Sequence, residues 1–261
     1  MSARPRPPLR KRIANRVNLL RSALSRMGPG VYRDVGRYRY VFIVTYGRTG
    51  STVLQSLIGS IPGHYMAGEN NYALHGLYQS YRDCRIMREQ HGTGYVPPDS
   101  PWYGGFAADP DHYARSLIES FVFDMMRPPR GAKVVGFKEI RYLAHLDDLP
   151  DFIRFMSHFF PGAKFIFNTR DVEDVSRSAW WRNADRHELG ERVERLKSIM
   201  HDLSVEMPDR FVNVVYEEWS RDPEALRPMF DFLEAPFDAG RLQRILDKPL
   251  LHMKTPKAEA A

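Results

Sequence analysis

Val41-Phe-Ile-Val-Thr-Tyr46, Gly47-Arg-Thr-Gly-Ser-Thr52 and Val53-Leu-Gln-Ser-Leu-Ile58 follow one another without a break, and Gly68-Glu69-Asn70 closes the stretch. An apolar run enters a glycine-containing turn, which leads directly into an apolar helical pattern. That is the layout of a strand, loop and helix that cradles a phosphate. Backbone N–H groups at the helix start face the loop, and the helix dipole favours an anion there. Gly47 and Gly50 suit a tight turn, Arg48 brings a fixed positive charge, and Ser51 and Thr52 bring hydroxyls. The nucleoside-triphosphatase loop needs G-x-x-x-x-G-K-[ST], with a lysine for the terminal phosphates and a hydroxyl for Mg²⁺. Here the two glycines are too close together and no lysine follows Gly50. The stretch therefore predicts an anion site that works without a metal.

Working outward, residues 38–46, 133–138, 164–168 and 211–216 read as four buried strands, each a short apolar run. Helical patterns fall between them, at residues 50–60, 111–126, 148–159, 172–181 and 186–205. Asp222-Pro223 predicts the start of a last long helix, because proline suits a first helical position. Residues 71–130 are the least legible region. Their tyrosines, Trp102 and Phe106 sit among Gly and Pro, and residues 91–110 read as a long loop. An aromatic loop of this kind either lines an acceptor pocket or simply packs on the surface. Alternating buried strands and helices predict an α/β fold: a P-loop-type open parallel β-sheet flanked by helices. Ligands bind such sheets beyond the carboxyl ends of the strands. Arg48, Lys138, Arg170 and Glu217 all fall at or just after strand ends, so the topology predicts their convergence.

The chain's 261 residues divide into a basic arm (1–39), an α/β domain (40–246) and a basic tail (247–261). The net charge of +6 belongs to the arm, because the remainder is net acidic. Leu9, Ile13, Val17, Leu20, Leu24 and Met27 form a helical stripe surrounded by arginines. Two readings of residues 9–27 stand: a helix lying on an anionic membrane surface, or one packed on the body with a solvated basic face. No 7–15-residue apolar core follows the basic lead, so a secretory signal is not expected. No apolar run is long enough to span a membrane. Cys84 is the single cysteine, which excludes an intrachain disulfide or a Cys-based zinc site and fits a reducing, cytoplasmic setting. Nucleic-acid binding is not expected, since the basic excess is confined to the arm.

Four segments together resemble the sulfotransferase superfamily that uses 3′-phosphoadenosine 5′-phosphosulfate. Thr45-Tyr-Gly-Arg-Thr-Gly-Ser-Thr-Val-Leu54 is similar to its 5′-phosphosulfate loop, in the arginine version found in bacterial carbohydrate and tyrosyl-protein types. Gly68-Glu69 is similar to the acidic segment after the first helix. Phe160 to Arg170, continuing to Ser178, resembles the 3′-phosphate segment, and Val214-Val-Tyr-Glu-Glu-Trp219 with Asp222-Pro223 resembles a late strand and helix. The resemblance implies a donor bound by Arg48, Thr49, Gly50, Ser51, Thr52 and Val53 at one end. Arg170 and Ser178 would bind it at the other, with Ser176 as a competitor for Ser178. Lys254, His252 and Lys257 are weaker candidates for a further 3′-phosphate contact. It also implies Glu69 as general base, in a partly apolar setting; His64 and His75 are backups because histidine is the commonest proton acceptor. Lys138 would stabilise the leaving phosphate or bind an anionic acceptor. Its alternative is a salt bridge with Glu139 or Glu217, and the alternative for Arg170 is an ion pair with Asp171 or Asp174. The acceptor would be a small molecule, glycan or lipid, and no metal is implied. The rivals are a nucleotide-dependent phosphoryl transferase and a non-catalytic anion- or membrane-binding protein.

Overall fold

The computed structural model describes residues 34–92, 97–177, 181 and 185–247. The amphipathic stretch 9–27, Ser178, His252, Lys254 and Lys257 lie outside these residues. Five strands form one parallel sheet: β1 (Arg39–Val44), β2 (His64–Ala67), β3 (Val134–Glu139), β4 (Lys164–Thr169) and β5 (Phe211–Val215), in the order β2-β3-β1-β4-β5. The four predicted strands are present, and β2 is an addition. Tyr216, expected at the end of the last strand, instead starts a helical turn.

The helices are α1 (Ser51–Gly59), α2 (Ala73–His91), α3 (Pro110–Ser120), α4 (Leu149–Phe159), α5 (Val172–Ser176), α6 (Arg186–Glu206), α7 (Tyr216–Trp219), α8 (Arg227–Phe232) and α9 (Ala239–Leu246). The long last helix predicted from Asp222 is a correction. Asp222-Pro223 opens a 3₁₀ turn, α8 follows, and the chain breaks before α9 at Glu234, which has φ 55°. Pro236 then keeps that connection from continuing as helix. Residues 111–126 are helical throughout, but the second half, Phe121–Met126, widens into a π-helix. Among the described residues no helix is long and apolar enough to cross a membrane.

Side chains alternate across a strand, and β1 is apolar on both sides because both faces are covered. Tyr40, Phe42 and Val44 enter one core, with residues of α2, α3, α4 and α6. Val41 and Ile43 enter the other, with α1 and α7–α9. Gly136 lies opposite Val41, and a Cβ there would meet the Val41 carbonyl oxygen at 1.7 Å. No other residue fits at that point of β3.

Strand order also places the site. The connection leaving β1 runs toward β2 on one side of the sheet, and the one leaving β4 runs toward β5 on the other. The crevice where such connections part is the usual ligand position in an open α/β sheet. Here it lies between the carboxyl ends of β1 and β4, where Arg48 and Arg170 stand.

Candidate functional site

The loop from Thr45 to Gly50 is held from beneath. The Thr45 and Thr49 hydroxyls are 2.7 Å apart, with Thr45 Oγ1 donating to the Asn168 carbonyl at 2.6 Å and Thr49 Oγ1 to the Tyr46 carbonyl at 3.1 Å. Asn168 Nδ2 donates to the Thr49 carbonyl at 2.8 Å, and Trp219 Nε1 donates to Asn168 Oδ1 at 3.0 Å. All four of these side chains are buried, and a satisfied buried network makes a rigid support.

Above this support Arg48 has φ 73° and Gly50 φ 72°, both left-handed. Arg48 is exposed. At Gly50 the turn and the packing agree: a Cβ would lie 2.3 Å from Tyr216 Cε2 and 3.1 Å from Trp219 Cη2. Gly50 is the N-cap of α1 and offers no side-chain cap. The first N–H groups of a helix have no intrahelical acceptor, which leaves those of Ser51 and Thr52 directed at the loop. The Val53 N–H is already bonded to the Gly50 carbonyl at 2.9 Å, so Val53 contributes no free donor. The Thr49 hydroxyl is turned inward in the same way, making Thr49 a strut of the loop.

Arg170, just past β4, donates from Nη1 to the Arg48 carbonyl at 3.0 Å, and its guanidinium lies 4.3 Å from the centre of the Tyr216 ring. Asp174 at 4.0 Å and Glu217 at 3.9 Å are its distant acidic neighbours. Asp171 instead caps α5 and donates its N–H to Glu217. Arg170 Nε is buried without a hydrogen-bond acceptor. Arg170 is thus fixed in direction by a carbonyl, with part of its donor capacity unspent. Ser176 is buried and its hydroxyl donates to the Glu173 carbonyl at 2.8 Å, within its own helix.

A second cluster occupies the ends of β2 and β3. Ala67 pairs with Phe137, so Glu69, two residues on, reaches the level of Lys138 and Glu139. The 4% exposed Lys138 makes a close ion pair with Glu69 Oε1, and Arg141 Nη1 reaches Glu69 Oε2 at 3.3 Å. Arg141 Nη1 also donates to Glu139 Oε1 at 2.8 Å, and the Tyr72 N–H holds Glu139 Oε2 at 2.8 Å. The partner of Lys138 is therefore Glu69, rather than Glu139 or Glu217. Glu69 is flanked by two cations, Lys138 and Arg141.

His75 and His64 lie in other surroundings. His75 is buried, 3.0 Å from Asp148, and burial lowers its pKa. His64 is half-buried, and burial lowers its pKa too. Trp102, Tyr103 and Phe106 are exposed, and Trp102 stacks on His91 at 3.9 Å. The structure brings Arg48 together with Arg170, and Glu69 together with Lys138.

Tyr46 joins the two clusters. Its backbone bridges Arg141, and its hydroxyl donates to the Arg170 carbonyl while accepting from the Arg170 N–H at 3.0 Å. Burial pushes its pKa up to about 12, against the lowering effect of the Arg170 hydrogen bond, so the hydroxyl keeps its proton. Tyr46→Phe removes both hydrogen bonds and leaves the partly buried Arg170 backbone groups without that partner, at a cost of about 1–3 kcal/mol. The expected result is a Tm lower by several degrees with the fold kept, measured by thermal denaturation. Sequence reasoning missed Tyr46, Arg141 and Asn168. The available signal was a polar residue at the end of an otherwise apolar strand, Asn168 being the clearest case.

A search of curated proteins finds no match. Among solved structures, the chain is similar to the sulfotransferase domain of an olefin synthase from Synechococcus PCC 7002, at 19% identity and a TM-score of 0.53, covering 82% of this chain and 79% of that one. A sulfotransferase domain from the curacin biosynthetic pathway matches at 15% identity and a TM-score of 0.49, covering 81% and 79%. A thymidylate kinase from Candida albicans matches at 15% identity and a TM-score of 0.40, covering 78% and 96%. At 19% identity the first of these likenesses speaks for the fold alone. The sequence profile described as "Sulfotransferase family" matches residues 40–239, which include both clusters and most of the chain. The chain belongs to the sulfotransferase family.

Proposed function

We propose that this chain moves a sulfuryl group from 3′-phosphoadenosine 5′-phosphosulfate to an acceptor hydroxyl, or less readily an amine, of a small molecule, glycan or lipid. The observation that carries the reading is the pairing of two arginines across the β1/β4 crevice, Arg170 being held to the Arg48 carbonyl at 3.0 Å. One arginine stands at a helix start that favours an anion, and the other keeps donor capacity a few ångströms away. A nucleotide with phosphate at both its 5′ and 3′ positions suits two such points.

In the transfer, the acceptor oxygen attacks sulfur in line, the bond from sulfur to the bridging phosphate oxygen breaks, and 3′,5′-bisphosphoadenosine leaves. The acceptor proton passes to Glu69. Charge grows on the bridging oxygen, where Arg48 and the N–H groups of Ser51 and Thr52 would stabilise it. Removing one such donor in comparable sites costs roughly 3 kcal/mol. Positioning and charge stabilisation dominate reactions of this type. An acceptor hydroxyl reaches Glu69 by replacing its longer, more exposed contact, the one with Arg141 at 3.3 Å. Lys138, buried on the other oxygen, holds the carboxylate in place.

A thermal-shift assay tests the donor assignment. At 100 times Kd, 3′,5′-bisphosphoadenosine adds about 2.7 kcal/mol of stability, which raises Tm by several degrees. ATP with Mg²⁺ at the same concentration is expected to give a smaller shift. An equal shift with the two nucleotides, or no shift with either, would sink the donor assignment.

A further inference from the structure

Away from both arginines, metal-ligating side chains from two separate segments point at one spot. His75 lies in the first turn of α2, while His145 and Asp148 lie just before α4. One donor atom from each falls within 4.8 Å of the others. His75 Nε2 is 3.0 Å from Asp148 Oδ2. Gln79, one helical turn beyond His75, directs its amide at the same two atoms, with Nε2 3.2 Å from His75 Nε2 and also against Asp148 Oδ2.

With the proton on Nε2, His75 and Gln79 both donate to Asp148 Oδ2, two donors 3.2 Å apart on one carboxylate oxygen. Without it, the Nε2 lone pair faces a carboxylate oxygen. A cation would satisfy the nitrogen, the carboxylate and, after a 180° turn of the amide, the Gln79 oxygen as well.

The site is also prearranged. The Tyr72 ring stacks on His75 at 4.6 Å and on His145 at 4.7 Å, and the two imidazoles lie 4.5 Å apart. Two imidazoles and one carboxylate suit zinc in a tetrahedral site, whereas Mg²⁺ and Ca²⁺ prefer oxygen ligands throughout. Arg82 is the competing cation, 3.8 Å from Asp148, and Asp83 at 3.9 Å offers it another partner.

We propose that His75, His145 and Asp148, with Gln79 or water as the fourth ligand, form a zinc site that clamps the turn behind Glu69. That turn is strained: Asn71 and Tyr72 are consecutive left-handed residues, with φ of 59° and 61°. Tyr72 carries the effect onward, through its N–H on Glu139, to Arg141 and then Glu69. The clamp is structural and does not depend on the identity of the sulfuryl donor.

The test uses the full chain, stripped with a chelator, dialysed and mixed with Zn²⁺ or with Co²⁺ as a spectroscopic probe. Wild type is expected to retain about one equivalent of zinc through gel filtration. It should also show the visible bands of tetrahedral Co²⁺ and gain thermal stability with zinc. His145→Ala should lose all three responses. Asp148→Asn, which keeps the size of the side chain and a hydrogen bond to His75, should lose them too and guards against misfolding of the first variant. Failure of wild type to retain zinc would overturn the proposal, as would retention by both variants equal to that of wild type.

Discussion

Glu69→Gln is expected to lower kcat by roughly 10²–10⁴-fold, the usual contribution of a positioned base. Binding of 3′,5′-bisphosphoadenosine should stay within about threefold of wild type. The two effects separate because Glu69 stands on the acceptor side. Its contacts are Lys138 and Arg141, while the Arg48 loop and Arg170 are held by other groups. Glutamine keeps an oxygen for Lys138, so the buried ammonium retains an acceptor and the fold should survive. Steady-state kinetics and calorimetric binding on the same preparation check both halves. A variant that loses donor-product binding along with turnover would make Glu69 a structural ion-pair residue.

The second large effect is expected at Gly50. Alanine there would have to adopt a left-handed conformation, at about 1–2 kcal/mol. Its methyl would also press into the Tyr216 ring, and overpacking of that kind costs about 1–3 kcal/mol. The total, about 2–5 kcal/mol, is a large fraction of a domain's stability. For a chain of this size it lowers Tm by roughly 5–15 °C. Binding of the bisphosphate should fall with it, because Tyr216 also underlies the Arg170 guanidinium. An unchanged Tm in thermal denaturation would mean that the loop is held less tightly than its packing implies.

Much of this arrangement was legible in the sequence, for reasons that can be traced to particular elements. β1, β3 and β4 are largely apolar runs buried from both sides, and β5 is an apolar run at the sheet edge with Asn213 exposed; such runs are visible without a partner. β2 was not, because His64-Tyr-Met-Ala67 is short and only half-buried, and it gains its place by pairing with β3 at the sheet edge. Glu69 was recognisable only through resemblance, since its position depends on that pairing. Arg48 and Arg170 were legible as cations after strands, but the hydrogen bond that ties them together was not. It is long-range, as are the bonds of Tyr46 and Asn168 that brace the loop. The 19-residue helix α2 was hidden for a different reason: its buried stripe consists of Leu74, His75 and Tyr78 rather than aliphatic residues alone. The last helix was predicted too long because the left-handed Glu234 gives no warning in sequence, although Pro236 two residues on does mark a break.

In the proposed function, Arg48 and Arg170 together hold a nucleotide phosphorylated at both its 5′ and 3′ positions. Calorimetric titration with 3′,5′-bisphosphoadenosine and with adenosine 5′-phosphate, on wild type and on Arg170→Ala, tests it most directly. Wild type should bind the bisphosphate at least about tenfold more tightly, a difference of about 1.4 kcal/mol. In Arg170→Ala that preference should largely disappear while the affinity for the 5′-phosphate changes little. Equal affinity of wild type for the two nucleotides, or a preference that survives in Arg170→Ala, would contradict the account.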